Sequence, residues 1–143
     1  MSRQAKRELR GLVGKWADRL GLDNWRIRVD LVRLPSLPAS AGKWGRRACA
    51  RASFNVAYRQ AVVSAEETVW DRLPPAERER TACHETLHIV ISPLMHVAEQ
   101  MMADLPKGRR EVYEKWLNMA DEQVTEQLAA ALVGRRPKKG KVT

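Results

Sequence analysis

The chain has 143 residues and a hydrophobic content of 44%, which is typical of one globular domain with its own core. Its only cysteines, Cys49 and Cys83, form no CxxC pair, which excludes a zinc ribbon and a disulfide framework. The net charge of +9 favours acidic partners, whereas the absence of a long apolar run and of a signal peptide predicts a cytoplasmic protein without membrane contact.

The first half of the chain is predicted to form a helix and a small sheet. Apolar residues recur at three- and four-residue steps over 9–20, the spacing of an amphipathic helix that Gly21 ends. Apolar and charged residues then alternate over 25–31, which predicts a half-buried strand. Alternation over 50–58 and an apolar stretch at 61–65 predict two more strands, paired as a hairpin. We therefore expect a mostly antiparallel sheet of three to four strands.

A buried helix is predicted next. It begins near Pro75, because proline fits the first turn of a helix, and it ends before Pro93, because proline disfavours helix in the residue before it. Residues 87–91 are apolar on nearly every side of this helix. Such a helix is expected in the middle of a domain.

Two helices are predicted to complete the α+β fold. A short one lies near 94–102, and a long one spans about 109–133 and is ended by Gly134. No internal repeat or second domain is visible, so residues 1–134 are predicted to form a single domain. The basic run at 135–143 is predicted to be a disordered tail.

The buried helix carries the HExxH pattern, which reads His84-Glu85-Thr86-Leu87-His88. Residues four apart lie on one face of a helix, so both imidazoles can bind a single Zn²⁺. Glu85 lies about 100° further round, where it can reach a water on that ion. The pattern therefore predicts one zinc ion and the chemistry of a zinc-activated water.

A catalytic zinc site of this kind needs a third protein ligand from elsewhere in the chain. Metzincins supply a histidine six residues after the second motif histidine, where this chain has Leu94, so that class is excluded. His96 is the third histidine of the chain, but it lies beyond Pro93 and is the least favoured candidate.

The last helix is the better source of the third ligand, because its second half carries carboxylates at positions 121, 122 and 126. Glu122 shares one side of this helix with Thr125 and Ala129, which are small enough to let another helix approach. We therefore favour Glu122 as the ligand, with Asp121 and Glu126 as the alternatives.

The sulfur-containing residues near the motif are attributed to packing. Cys83 precedes His84, but its side chain points about 100° away from it, and cysteine is commonly buried. Met95, Met101 and Met102 are assigned to the core, because a Met-turn belongs with the excluded metzincin pattern.

At this point the chain resembles the gluzincin type of zincin, in which a distant Glu completes HExxH. Residues 122–133 are similar to the E-x-x-A-x-x-F-A-x-x-L-L helix of ImmA/IrrE-type metallopeptidases, with Thr125 in place of the first Ala and Leu128 in place of Phe. The order of elements also resembles small SprT-like and phage-encoded metallopeptidases.

The resemblance implies a zincin-like α+β fold and a zinc metallopeptidase activity. His84, His88 and Glu122 would bind one Zn²⁺. Glu85 would be the general base, which takes a proton from the zinc-bound water and passes it to the leaving amine.

The resemblance further implies that an edge strand, either 50–58 or 61–65, holds a protein or peptide substrate in extended form. The alternative function is a basic, zincin-like binding module with a structural or vestigial zinc site. Such a module would dock on nucleic acid or on a DNA-associated protein through its basic surface and the tail at 135–143.

Overall fold

The computed structural model describes residues 2–33 and 49–134, so the tail predicted at 135–143 lies outside the described residues. The described part is α+β, as predicted, with four helices and one three-stranded sheet. The elements are α1 (Ser2–Arg19), β1 (Arg26–Val32), β2 (Ala50–Asn55), β3 (Gln60–Glu66), α2 (Glu67–Arg72), α3 (Pro75–Met102) and α4 (Lys107–Val133).

The predicted amphipathic helix is confirmed as α1. Its apolar stripe, which includes Leu9, Val13 and Trp16, is buried in the core. Gly21 adopts φ +71°, the left-handed conformation that ends many helices, and the Leu22 N–H donates a 2.9 Å hydrogen bond to the carbonyl of Ala17.

The sheet is mixed, so the prediction of a mostly antiparallel sheet was wrong. The strand order is β1-β3-β2, with β3 parallel to β1 and antiparallel to β2. The predicted hairpin of the second and third strands is confirmed. Alternation reveals which side chains face the core but not which strands are neighbours. The long connection between β1 and β2 leaves room for β3 to pair between them.

Helix α3 continues through Pro93 to Met102, so the predicted end before Pro93 and the separate short helix were wrong. Proline has no N–H for the carbonyl four residues earlier, which is that of Ile89. The Ser92 hydroxyl donates a 2.7 Å hydrogen bond to this same carbonyl. This bond satisfies the freed acceptor and allows the helix to pass the proline.

The middle of α3 is buried in the core. Its residues from Ala82 to Ile89 are buried except for the half-buried His84, whereas Val90 and the exposed apolar residues that follow face solvent. Met95 is buried as predicted, but Met101 is 76% exposed, so its assignment to the core was wrong. Among the described residues, no helix combines the length and the apolar character that crossing a bilayer requires.

Candidate metal centre

The site lies where α3 and α4 pack against each other. Thr125 and Ala129 of α4 are fully buried, and such small side chains let two helices approach closely. The Thr125 hydroxyl donates a 2.9 Å hydrogen bond to the carbonyl of Asp121 in its own helix. The close packing of α3 against α4 brings the acidic side chains of α4 beside the HExxH turn of α3.

His84, His88 and Glu122 converge on one point. The two Nε2 atoms lie 3.0 Å apart. The Glu122 carboxylate straddles them, with Oε2 at 3.3 Å from His84 Nε2 and Oε1 at 3.1 Å from His88 Nε2. Atoms that each lie about 2.1 Å from a common tetrahedral centre stand roughly 3.0–3.5 Å apart, so these separations fit three ligands of one metal ion.

A second layer of carboxylates contacts the other imidazole nitrogens. Both carboxylate oxygens of Asp121 lie 3.1 Å from His88 Nδ1, and the Asp121 side chain is only 14% exposed. Glu126 Oε2 lies 3.2 Å from His84 Nδ1, although it lacks hydrogen-bond geometry to this nitrogen, and Glu126 also binds the guanidinium of Arg80. Helix α4 therefore supplies the third candidate ligand and the carboxylates that face the Nδ1 atoms of both histidines.

Glu85 faces the sheet from the same turn of α3 and is 7% exposed. Burial raises the pKa of this carboxyl to about 7, and the carboxylates of Glu122 and Asp121 add to the rise. His88 and a backbone hydrogen bond from Ala52 of β2 oppose the rise and lower the pKa. The carboxyl is therefore poised to gain or lose a proton near neutral pH.

His84 is disposed to be neutral. Burial lowers the pKa of its imidazole, and the positive charge of His88 lowers it further, while Glu122 and Glu126 oppose the shift. A neutral imidazole presents the lone pair that a metal ion requires.

The remaining sequence candidates lie apart from this cluster. His96 is exposed, lies about two turns beyond His88 on α3, and is not part of the described metal-binding group. Cys83 is fully buried, as predicted, and burial raises the pKa of its thiol to about 11. A neutral, buried thiol is a packing residue rather than a ligand.

Two contacts of the site were not identified from the sequence. Arg80 lies one helical turn before His84, and this spacing is the only signal that could have indicated it. The backbone hydrogen bond from Ala52 has no sequence signal, because it depends on where β2 lies relative to α3.

No known protein family, curated protein or solved structure matches this chain.

Proposed function

We propose that the protein is a gluzincin-like zinc metallopeptidase that hydrolyses peptide bonds in protein or peptide substrates. The observation that carries this proposal is the convergence of His84, His88 and Glu122 beside the buried carboxyl of Glu85. Two imidazole nitrogens and one carboxylate make up a donor set of catalytic zinc sites, which leave a position open for water or substrate.

The residues around this cluster support hydrolysis as well as metal binding. A bound zinc ion would supply a Lewis acid that polarises the scissile carbonyl and makes a water more acidic. Glu85, with its pKa of about 7, is suited to take a proton from the attacking water and return it to the departing amine. The Glu122 side chain is 64% exposed, so the cluster is open to solvent on this side.

Strand β2 is the better of the two substrate-strand candidates. Strand β3 is paired on both sides, whereas β2 lies at an edge of the described sheet and its Ala52 contacts Glu85. An extended peptide that added to this edge would pass beside the proposed base.

The test compares the wild-type chain, loaded with Zn²⁺, with Glu85→Gln and with the matched control Glu99→Gln, an exposed glutamate on the same helix. Metal content is measured by elemental analysis, and hydrolysis is measured on fluorescently labelled casein. We expect one zinc per chain in all three proteins and a loss of hydrolysis of about 100-fold or more only in Glu85→Gln. Substoichiometric zinc in the wild type, or equal hydrolysis by Glu85→Gln, would contradict the proposal.

Loss of folding is not expected to explain the effect of Glu85→Gln. A carboxyl whose pKa rises from 4.5 to about 7 on folding holds a proton that the unfolded chain releases. The native state therefore loses stability as the pH rises from about 4.5 to 7. Glutamine removes this penalty, so metal-free Glu85→Gln should be at least as stable as the wild type at pH 8.

A second candidate function, docking on nucleic acid, is supported by the distribution of charge. The described residues from α1 to the end of β3 contain 11 basic and 5 acidic side chains, whereas residues 67–134 contain 7 basic and 12 acidic ones. Arg3, Arg7 and Arg10 form an exposed stripe on α1, and Arg26 and Arg28 are exposed on β1. A basic surface of this kind suits a phosphate backbone.

A further inference from the structure

The part of the α3–α4 hairpin beyond the metal centre exposes a group of apolar side chains. We call six of its side chains the hairpin patch: Val90, Leu94, Val97 and Met101 on α3, with Tyr113 and Trp116 on α4. Leu94, Met101 and Trp116 are 72%, 76% and 61% exposed. Together the six residues expose roughly 700 Å², backbone and polar ring atoms included, which is comparable to the ~300–600 Å² of the largest apolar patch on a typical monomer.

The patch has the spacing of a helix-packing seam. Its four α3 residues follow one another at steps of four, three and four, which places them in one continuous stripe along the helix. Apart from Pro93, the other exposed side chains of this segment, such as His96 and Gln100, are polar and lie on a different side. Helix α4 runs back along α3, so its Tyr113 and Trp116 lie at the same level of the hairpin, with their rings stacked edge to face at 5.7 Å.

The charge of the outer hairpin favours a second copy of the chain as the partner for the hairpin patch. The whole chain carries +9, and two copies would repel each other across most of their surface. Residues 93–120, which make up the outer hairpin, contain four acidic and four basic side chains and therefore have no net charge. A second copy of the chain can approach at this end without that repulsion.

The area of the hairpin patch also favours a second copy of the chain as its partner. A standard interface buries about 800 Å² per partner, polar rim included, and the six residues of the hairpin patch expose roughly 700 Å², backbone included. Two antiparallel helices that carry an apolar stripe can pair with an identical hairpin about a twofold axis to form a four-helix bundle. We propose that the hairpin patch is the interface of a homodimer built in this way. Neither metal binding nor hydrolysis enters this inference.

The test measures the mass of the zinc-loaded full chain by sedimentation equilibrium between about 1 and 100 µM. The wild type is expected at twice the monomer mass of 16.3 kDa. Leu94→Glu/Met101→Glu places two charges in the stripe and is expected to weaken the dimer at least 100-fold. His96→Glu/Gln100→Glu, which adds the same charge on another side of α3, is the matched control and should remain dimeric.

A milder variant separates loss of association from loss of folding. Leu94→Ala/Met101→Ala keeps good helix formers at exposed positions, so it should retain the wild-type circular dichroism and still weaken the dimer at least tenfold. A wild-type chain that stays monomeric at 100 µM overturns the proposal. A structure in which another segment of the same chain covers the hairpin patch would also overturn it. Equal weakening in the two charged variants also overturns it, because the interface would then not follow the stripe.

Discussion

Asp121 is the residue that most closely constrains the ligand histidines. Its carboxylate lies 3.1 Å from His88 Nδ1, and both side chains are largely buried. A carboxylate at Nδ1 favours a proton on that nitrogen, which leaves the Nε2 lone pair free and fixes the orientation of the ring. We therefore expect Asp121 to act through His88 rather than as a ligand in its own right.

Asp121→Asn tests this role, because asparagine keeps the size of the side chain and removes its charge. We expect zinc affinity to fall about 10- to 100-fold, as measured by competition with a fluorescent zinc chelator. Asp104→Asn is the matched control, since Asp104 is exposed in the α3–α4 turn and should have no effect on affinity. Unchanged affinity in Asp121→Asn would contradict the positioning role.

At the residue scale, the sequence predicted which side chains meet but not how they divide the roles. HExxH places His84 and His88 on one face in any helix, so their proximity follows from spacing alone. The carboxylates at 121, 122 and 126 all lie near the turn that α4 presents to α3. Only the rotation and height of α4 against α3 put Glu122 at the Nε2 atoms and the other two at the Nδ1 atoms.

At the scale of elements, the passage of α3 through Pro93 shapes the molecule most. A helix that ended at Ser92 would leave no long hairpin, whereas the observed helix extends to Met102. Local sequence preference predicted an end here, because proline disfavours helix in the residue before it; proline also lacks the N–H donor of an ordinary helical residue. Such a preference takes no account of the Ser92 hydroxyl, which donates to the Ile89 carbonyl in place of the missing N–H. The helix boundary therefore could not be predicted from propensity.

A pair of substitutions tests whether the Ser92 hydroxyl replaces the N–H that Pro93 lacks. Ser92→Ala leaves the buried Ile89 carbonyl without its donor and should lower the free energy of unfolding by about 1–3 kcal/mol. Pro93→Ala restores a backbone N–H to the same carbonyl, so Ser92→Ala should cost much less in that background. Urea denaturation of the four proteins, all with zinc bound, measures the coupling. Additive effects would rule out the shared carbonyl as the reason that the helix continues.

At the scale of the whole molecule, charge is separated between the two halves of the described chain. The first helix and the sheet carry the basic excess, and the three later helices carry the acidic excess together with the metal centre. The net charge of +9 was visible in the sequence, but its meaning was not. The fold adds which of these basic side chains are exposed, such as Arg7 and Arg10 on α1.

This separation predicts where a polyanion would bind. Arg7→Gln/Arg10→Gln removes two exposed charges from α1, and Lys107→Gln/Arg109→Gln removes two from the acidic half as the matched control. If nucleic acid docks on the basic half, the first pair should weaken binding to a 30-base-pair DNA duplex. The slope of log affinity against log salt should also fall by up to about 2 in the first pair alone. Equal changes in the two pairs, or no binding by the wild type at 50 mM salt, would contradict this docking surface.

Under the proposed function, metal binding would depend on α3 and α4, whereas peptide cleavage would depend on β2 as well. Among the described residues, the cluster of His84, His88 and Glu122 and the carboxylates that face its imidazoles come from two short helical segments, 84–88 and 121–126. The sheet reaches the site through Ala52 of β2, which contacts the proposed base. An isolated antiparallel helix pair that carried these two segments would therefore contain the complete donor set, whereas the environment that tunes Glu85 would be lost with the sheet.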